Sequence, residues 1–182
     1  NLPLPAASEP AVAPIDLEPS PALRIVGKYP DTLKGRKVAV LVADGSDGTV
    51  VDAVRAAVEG DEGSIFIVAP KIGGAKLKDG STLAADGQLA GSPSVLFDAV
   101  AVVLSDDGCA TLMKEGAAVD FVKDAFGHLK AIGHTPEAQP LLDKAGVEPD
   151  AGVIDLAKDV DGFLAPARTR QWDREPKVRM LA

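Results

Sequence analysis

The segment 126–138 has the residue order of a catalytic motif. A short apolar strand, 130–133, leads into a tight turn and a new helix at Pro136. In many open α/β sheets such a strand-to-helix turn presents a nucleophile to solvent. This turn, 133–135, is centred on His134 and carries neither Cys nor Ser. The segment therefore predicts the scaffold of a catalytic site without its reacting atom.

Cys109 is the only cysteine of the chain and follows Asp106 and Asp107 near the expected start of a helix. A helix N-terminus lowers the pKa of a thiol, whereas neighbouring carboxylates raise it. A catalytic thiol also needs a base, and His134 on the neighbouring turn could supply one, so a Cys109–His134 pair is one hypothesis. A spare thiol is the favoured alternative. The other histidine, His128, is expected to cap the end of a helix.

The segment Asp44-Gly-Ser-Asp-Gly-Thr49 follows the first strand and resembles a phosphate-binding loop at a helix N-terminus. However, Asp44 and Asp47 would place two carboxylates beside the phosphate, and no lysine stands where a phosphate-binding loop carries one. We therefore interpret the segment as a turn capped by Ser46 or Asp47. The same residues argue against flavin mononucleotide, and we expect neither a cofactor nor a metal in this chain.

Continuous apolar runs predict strands that are buried on both faces, which is typical of a parallel sheet. Helices are expected between the strands, the first with Val50, Val51, Val54 and Val58 on one face and the last from Asp161 to Trp172. A further helix is expected over 117–129 and a hairpin over 76–83, and the predicted strands are 37–43, 64–69, 97–104, 130–133 and 152–156. Together they predict a three-layer, doubly wound, mostly parallel α/β sheet of the flavodoxin-like kind.

The first part of the chain differs from the rest in its proline content. Six of the 14 prolines fall within the first 21 residues, where they exclude a helix or a central strand. We therefore predict a proline-rich linker or arm over 1–34 and one α/β domain over 35–182. The linker-like opening, which lacks a secretory signal, also predicts that a larger part of the protein precedes it.

Charge and hydropathy exclude several classes of partner. The formal charge of −8 would repel a nucleic acid, and no apolar run reaches the roughly 18 residues of a membrane helix. A single cysteine suits a reducing compartment, and we expect the protein in the cytoplasm. The basic residues near the C-terminus are expected to form a solvated or subunit-contacting face; they are Arg168, Arg170, Arg174, Lys177 and Arg179.

Taken in order, these segments resemble the C-terminal domain of the large-subunit catalases. That domain is flavodoxin-like and similar to the class I glutamine amidotransferases and PfpI-type proteases, in which an elbow cysteine is assisted by a Glu and a His. The resemblance places His134 or its neighbour at the elbow and Asp44 and Asp47 near the position of the Glu. It therefore implies a vestigial elbow at His134 and no catalytic residue. The matching segments are Ser20–Val26, Gly35–Val42, Phe97–Val103, Ala125–Ile132, Gly152–Leu156 and Trp172–Ala182.

The resemblance also implies a function for the parent protein. Large catalases use a haem held by a tyrosine to convert hydrogen peroxide to water and oxygen, in a core domain upstream of this one. The only tyrosine here, Tyr29, lies in a linker-like stretch, so we expect no haem in this chain. The implied partners are the catalase core domain and the neighbouring subunits of a homotetramer, and the implied role is assembly and stability, with a possible chaperone-like activity.

Two alternatives of other classes stay open at this point. One is a free-standing PfpI-like hydrolase or deglycase that uses Cys109 with His134. The other is a flavin- or nucleotide-binding module, which the acidic loop after the first strand disfavours.

Overall fold

The apolar runs of the sequence form one sheet of six parallel strands. The structure is a computed structural model, which describes residues 8–25, 27–28 and 30–178. The strands lie in the order β5-β2-β1-β6-β7-β8, and the short strands β3 and β4 form a separate antiparallel pair. The predicted mostly parallel, doubly wound sheet is confirmed. Strand bounds are β1 Lys37–Val42, β2 Ser64–Ala69, β3 Ala75–Lys76, β4 Thr82–Leu83, β5 Gly87–Gln88, β6 Ala99–Val103, β7 Ile132–His134 and β8 Val153–Asp155.

Helices cover both faces of this sheet. Because strand side chains alternate between the faces, each face has its own apolar core. Val54 and Phe163 pack with Val40 on one face, and Phe121 packs with Val102 on the other. Helices α1 and α5 belong to the first face, whereas α2, α3 and α4 belong to the second. Helix bounds are α1 Gly48–Gly60, α2 Asp106–Leu112, α3 Gly116–Gly127, α4 Gln139–Lys144, α5 Leu164–Ala167 and α6 Glu175–Val178.

The C-terminal segment differs from its prediction. The expected helix from Asp161 to Trp172 is wrong, because the chain forms only a 3₁₀ turn and the four-residue α5 before it changes direction. The backbone N–H of Gln171 donates to the carbonyl of Leu129 at 2.8 Å instead of continuing the helix. A second 3₁₀ turn, Trp172–Arg174, then leads into α6. The segment is thereby held against the edge of the sheet where the strands begin, which we call the amino edge.

Arg174 does not belong to the predicted solvated or subunit-contacting face, which stays a prediction for the other basic residues. Arg174 is completely buried, and its guanidinium carbon lies 4.1 Å from the centroid of the Phe126 ring. Lys177 is exposed and pairs with Glu148, and Arg179 lies outside the described residues. The other pairs each join an arginine to an aspartate that precedes a strand; they are Arg168 with Asp61 (2.6 Å), Arg170 with Asp98 (3.7 Å) and Arg174 with Asp150 (2.7 Å).

Residues 8–25, the described part of the predicted arm, are exposed throughout. The backbone bonds of this stretch are local, since the N–H groups of Leu23 and Arg24 both donate to the carbonyl of Ser20. Packing of the domain begins at Leu33, which is fully buried and whose N–H donates to Asp61. The division of the chain into an arm over 1–34 and a domain over 35–182 stays a prediction. Within the described ranges, no helix has both the length and the apolar character needed to cross a membrane.

Candidate functional site

The sequence motifs meet at the carboxyl edge of the sheet, where the parallel strands end. The chain leaves β1 in one direction to form β2 and later returns on the other side to form β6. The carboxyl ends of β1 and β6 therefore form the topological switch point, where open α/β sheets bind their ligands. Three loops meet there, at 43–48, 104–108 and 133–136.

The hairpin β3–β4 closes the first of these loops. The N–H of Gly45 donates to the carbonyl of Lys76 at 2.7 Å, and the N–H of Lys76 donates to Oδ1 of Asp44 at 2.8 Å. A third bond runs from the N–H of Lys78 to the carbonyl of Ser46 at 3.0 Å. The Asp44 carboxylate and the backbone groups of Gly45 and Ser46 are thus bound to the chain's own hairpin.

Two serines join the loop after β1 to the end of β6. The Ser46 hydroxyl is fully buried; it donates to the carbonyl of Val103 at 2.7 Å and accepts from the N–H of Ala43 at 3.0 Å. The Ser105 hydroxyl donates to the carbonyl of Asp44 at 3.1 Å. Gly45 permits this approach, since a Cβ at that position would lie 2.6 Å from Ser105 Oγ and its φ is +86°.

The turn that carries His134 lacks the geometry of a nucleophile elbow. Such an elbow holds its residue in a strained, exposed conformation. Among the described non-glycine residues only Glu62 and Leu129 have a positive φ, and neither lies in this turn. His134 is 8% exposed and Thr135 is 4% exposed. Nδ1 of His134 lies 3.0 Å from the Thr135 carbonyl, which makes this nitrogen the protonated one in that contact.

The Thr135 hydroxyl has a structural partner on the neighbouring strand. It donates to the carbonyl of Leu104 at 3.0 Å and accepts from the N–H of the same residue at 3.1 Å. The hydroxyl therefore uses both its donor and its acceptor capacity to join the end of β7 to the end of β6.

Cys109 lies in the first turns of α2, close to the same edge of the sheet, and is almost fully buried. Burial, with the nearby Asp106 carboxylate, raises the pKa of the Cys109 thiol above its usual value. Within the described residues no hydrogen bond joins this thiol to His134. A buried neutral thiol is a weak nucleophile. A low reactivity of Cys109 and a vestigial elbow at His134 both stay predictions.

The acidic loop after β1 is confirmed as a capped turn. Asp47 is the N-cap of α1, and its carboxylate accepts from the N–H of Thr49 at 3.0 Å and from the Thr49 hydroxyl at 2.7 Å. These bonds, together with Lys78, lower the pKa of Asp47 below its usual value. His128 likewise lies where it was predicted, at the C-cap of α3.

Two shallow cavities remain at the carboxyl edge. One has a volume of about 200 Å³ and is lined by Asp44, Lys71, Asp107 and Glu115 among others. The second, of about 390 Å³, is lined mainly by residues of the three loops, among them Asp106, and also by Glu137. In the described part of the chain, no group of three or more His, Cys, Asp and Glu side chains is arranged to hold a metal ion.

Sequence reasoning missed the side chains that close this edge. Ser46 was considered only as a helix cap, and Thr135 only as part of the elbow. Both are small hydroxyl residues immediately after a buried strand, which is a signal that could have identified them as bridges. Their partners Val103 and Leu104 lie 57 and 31 residues away, however, and nothing in the local sequence points to them.

The comparison with protein families decides how the chain is classified. The family described as the C-terminal domain found in long catalases matches residues 34–174, which is well over half of the chain. The chain belongs to this family of catalase domains. The matched region includes the hairpin that closes the switch point and ends at the buried Arg174.

Individual catalases show the same relationship. Catalase C of Rhizobium meliloti is 43% identical over 170 residues, which cover 91% of this chain and 24% of that protein. Catalase HPII of Pseudomonas putida is 34% identical over 180 residues, which cover 96% of this chain and 25% of that protein. This catalase domain therefore spans about a quarter of the length of the curated relatives it matches.

Solved structures confirm the fold of the catalase domain. Oxidized DJ-1 of Toxoplasma gondii matches with a TM-score of 0.61 at 11% identity, covering 81% of this chain and 97% of that one. A DJ-1 superfamily protein of Salmonella typhimurium matches with a TM-score of 0.60 at 21% identity, covering 81% of this chain and 96% of that one. At such identities the likeness concerns the fold alone.

Proposed function

We propose that this chain is a non-catalytic C-terminal domain of a long haem catalase, and that it contributes to the assembly and stability of a homotetramer. The parent protein would convert hydrogen peroxide to water and oxygen in a core domain outside this chain. The partners of the domain would be that core and the neighbouring subunits. The family match over residues 34–174 supports the parent, and the geometry of the carboxyl edge supports the absence of chemistry in the domain itself.

The observation that carries the non-catalytic role is the closure of the switch point. Three bonds from the hairpin residues Lys76 and Lys78 occupy the loop after β1. The hydroxyls of Ser46 and Thr135 are bound to strand ends. A catalytic site needs a nucleophile or base that can reach a bound substrate. The hydroxyls of Ser46 and Thr135 and the carboxylate of Asp44 are already bound within the domain, and the Cys109 thiol is buried.

The described residues include no tyrosine that could hold a haem. Tyr29, the only tyrosine, lies outside the described residues. We therefore assign the haem of the proposed parent to its core domain and derive no step of the reaction from this chain.

The test compares the full-length parent with a form that ends before Thr32. We expect both to bind haem and to decompose peroxide at similar initial rates, and the shortened form to lose its activity and tetrameric state at a lower temperature. The isolated chain should show neither a Soret band nor peroxide turnover. Either signal from the isolated chain, or equal heat resistance of the two long forms, would contradict the proposal.

The exposed apolar side chains of the arm suggest a second part of the proposed role in assembly. Its apolar side chains are 67–82% exposed, namely Val12, Ile15, Leu17, Leu23 and Ile25. Such side chains gain free energy when they pack on another protein surface. We include in the proposal that they pack on the assembled tetramer, and that in a chain outside the tetramer, where they stay exposed, they give the domain a chaperone-like capacity to hold unfolded chains. We also propose the cytoplasm as its compartment, where the single Cys109 would stay reduced.

A further inference from the structure

Exposed apolar side chains of the domain are concentrated at the amino edge. Outside the arm, the most exposed large apolar residues of the described chain are Ile72 and Leu96 at 63%, Val95 at 56% and Trp172 at 37%. Val95 and Leu96 lie on the 3₁₀ turn that leads into β6, and Trp172 follows the residue that bonds to Leu129 before β7. Only Ile72, which follows β2, lies on the carboxyl side.

Buried cations fix the backbone that presents these side chains. The ammonium of Lys130, which is 3% exposed, donates to the carbonyls of Ser94 and Phe97, both at 2.6 Å. Arg174 in turn donates to the carbonyl of Lys130 at 2.9 Å. Val95 and Leu96 therefore project from a turn that is held at both ends. A surface fixed in this way loses little conformational entropy when a partner binds.

The two edges also differ in charge. At the amino edge, the carboxylates of Asp61, Asp98 and Asp150 are each paired with an arginine, and the exposed Asp173 beside Trp172 forms no ion pair within the described residues. At the carboxyl edge, Asp106 and Glu137 are exposed and form no ion pair within the described residues. Covering unpaired carboxylates with protein is unfavourable, covering paired charges costs less, and covering apolar side chains is favourable. The amino edge is thus the better contact surface.

The arm reaches the domain at this same edge. Asp31 pairs with Arg168 at 2.9 Å, and the N–H of Leu33 donates to Asp61 just before β1 begins. Since the domain spans about a quarter of its catalase relatives and belongs to the C-terminal family, the remaining three quarters would be joined through this arm.

We propose that the core of the long catalase packs on the amino edge, where it would contact Val95, Leu96 and Trp172. The partner surface would carry apolar side chains and few unpaired charges. This inference rests on the proposed function, since it requires a catalase core, and it adds to that function the face and the chemistry of the contact.

Hydroxyl-radical footprinting tests the proposal directly, with radicals made by X-ray radiolysis of water so that no peroxide is added. Leu96 and Ile72 form a matched pair because both are 63% exposed. The oxidation rate of each residue is compared between the isolated chain and the full-length parent. We expect Leu96 and Trp172 to be oxidised several-fold more slowly in the parent and Ile72 to be unaffected. Protection of Ile72 instead, or of neither edge, would overturn the proposal.

A pair of variants separates this proposal from the proposed function. Leu96→Ser and Ile72→Ser change equally exposed residues in the full-length parent, so neither should prevent folding. We expect Leu96→Ser alone to raise the oxidation rate of Trp172 towards that of the isolated chain, and to do so equally at low and high salt. An equal effect of both variants would refute the contact face. A parent without haem or peroxide turnover would refute the proposed function, whatever the footprint.

Discussion

The carboxyl edge of the sheet is closed by hydrogen bonds of neutral hydroxyls, whereas the amino edge is held by arginine–carboxylate pairs. Ser46 and Thr135 bond to backbone groups of the adjacent strand end. Arg168 and Arg174 instead bind the carboxylates of Asp61 and Asp150. The edge that carries ligands in related folds is here tied together by the chain's own bonds, and the opposite edge has the properties of a contact surface.

This difference leads to an order of expected effects. Disruption of a buried, charged anchor should destabilise the domain more than loss of a neutral hydrogen bond, because the unpaired charge remains out of water. The amino edge should therefore be the more sensitive of the two.

The largest effect is expected at Arg174. Arg174→Met leaves the Asp150 carboxylate without two charged hydrogen bonds and removes the donor to the carbonyls of Phe126 and Lys130. We expect the free energy of unfolding to fall by about 3–5 kcal/mol, as for other buried pairs that lose one partner. Urea denaturation followed by circular dichroism measures it.

Lys177→Met is the control for this variant, because Lys177 pairs with Glu148 on the exposed surface. Its effect should be much smaller, because a solvent-exposed ion pair contributes little to stability. If the two variants are equally stable, the arginine pairs do not anchor the amino edge.

The second prediction concerns pH. Burial, together with the nearby Arg170, lowers the pKa of Lys130 from 10.5 to about 8. Between these values the unfolded chain holds the proton and the folded chain does not, so this residue makes stability rise with pH, by up to about 3 kcal/mol over the window. Lys130→Met should lack this rise. Urea denaturation of both proteins from pH 6 to pH 10.5 measures the difference in stability between them.

The same measurements contain their own control. At pH 6 and pH 7 the difference between the two proteins should be constant, because Lys130 is charged in both the folded and the unfolded chain. Above about pH 8 the wild type should gain stability relative to the variant. Parallel curves throughout would show that the Lys130 ammonium is not held in a dry environment.

A smaller effect is expected at the carboxyl edge. Ser46→Ala removes the bonds to the carbonyl of Val103 and the N–H of Ala43, both in a buried setting. We expect a loss of about 1–3 kcal/mol, the range for a buried polar group left without its partner. Ser81→Ala, on the exposed turn of the hairpin, should change stability by less than about 0.5 kcal/mol. Similar losses for both would mean that the Ser46 bridge does not close the edge.

The sequence predicts those features of the fold that depend on residues close together along the chain. The strand over 37–43 and the helix face of Val51, Val54 and Val58 are encoded locally, by apolar runs and by helical spacing, and both are found. The two-residue strand β5 is too short to produce any such pattern.

The C-terminal segment and the candidate site depend on contacts between residues that are far apart in the sequence, so local patterns do not predict them. A helix over 161–172 satisfies the local spacing, but the N–H of Gln171 bonds to Leu129 instead. Arg174 was assigned to a surface because the sequence around it is charged, while its partners Phe126 and Lys130 lie 48 and 44 residues away. The residues of the turn themselves predict the absence of an elbow nucleophile, and the hairpin over 76–83 is also predicted; only the structure shows that this hairpin lies over the switch point.

The smallest effect is expected at Asp47, whose carboxylate caps α1 at the carboxyl edge through Thr49 alone. Asp47→Ala should lower the free energy of unfolding by about 1 kcal/mol, whereas Asp47→Asn, which keeps a capping oxygen, should lose much less. Because the Thr49 bonds lower the pKa of Asp47, its charged form stabilises the fold above the unfolded pKa near 3.8, and this contribution disappears as the pH falls through the folded pKa. The difference between wild type and Asp47→Ala, measured by urea denaturation, should therefore shrink in acid. If Asp47→Ala lowered the free energy of unfolding more than Arg174→Met, the carboxyl edge would be the more strongly held of the two, and the comparison between the edges would be reversed.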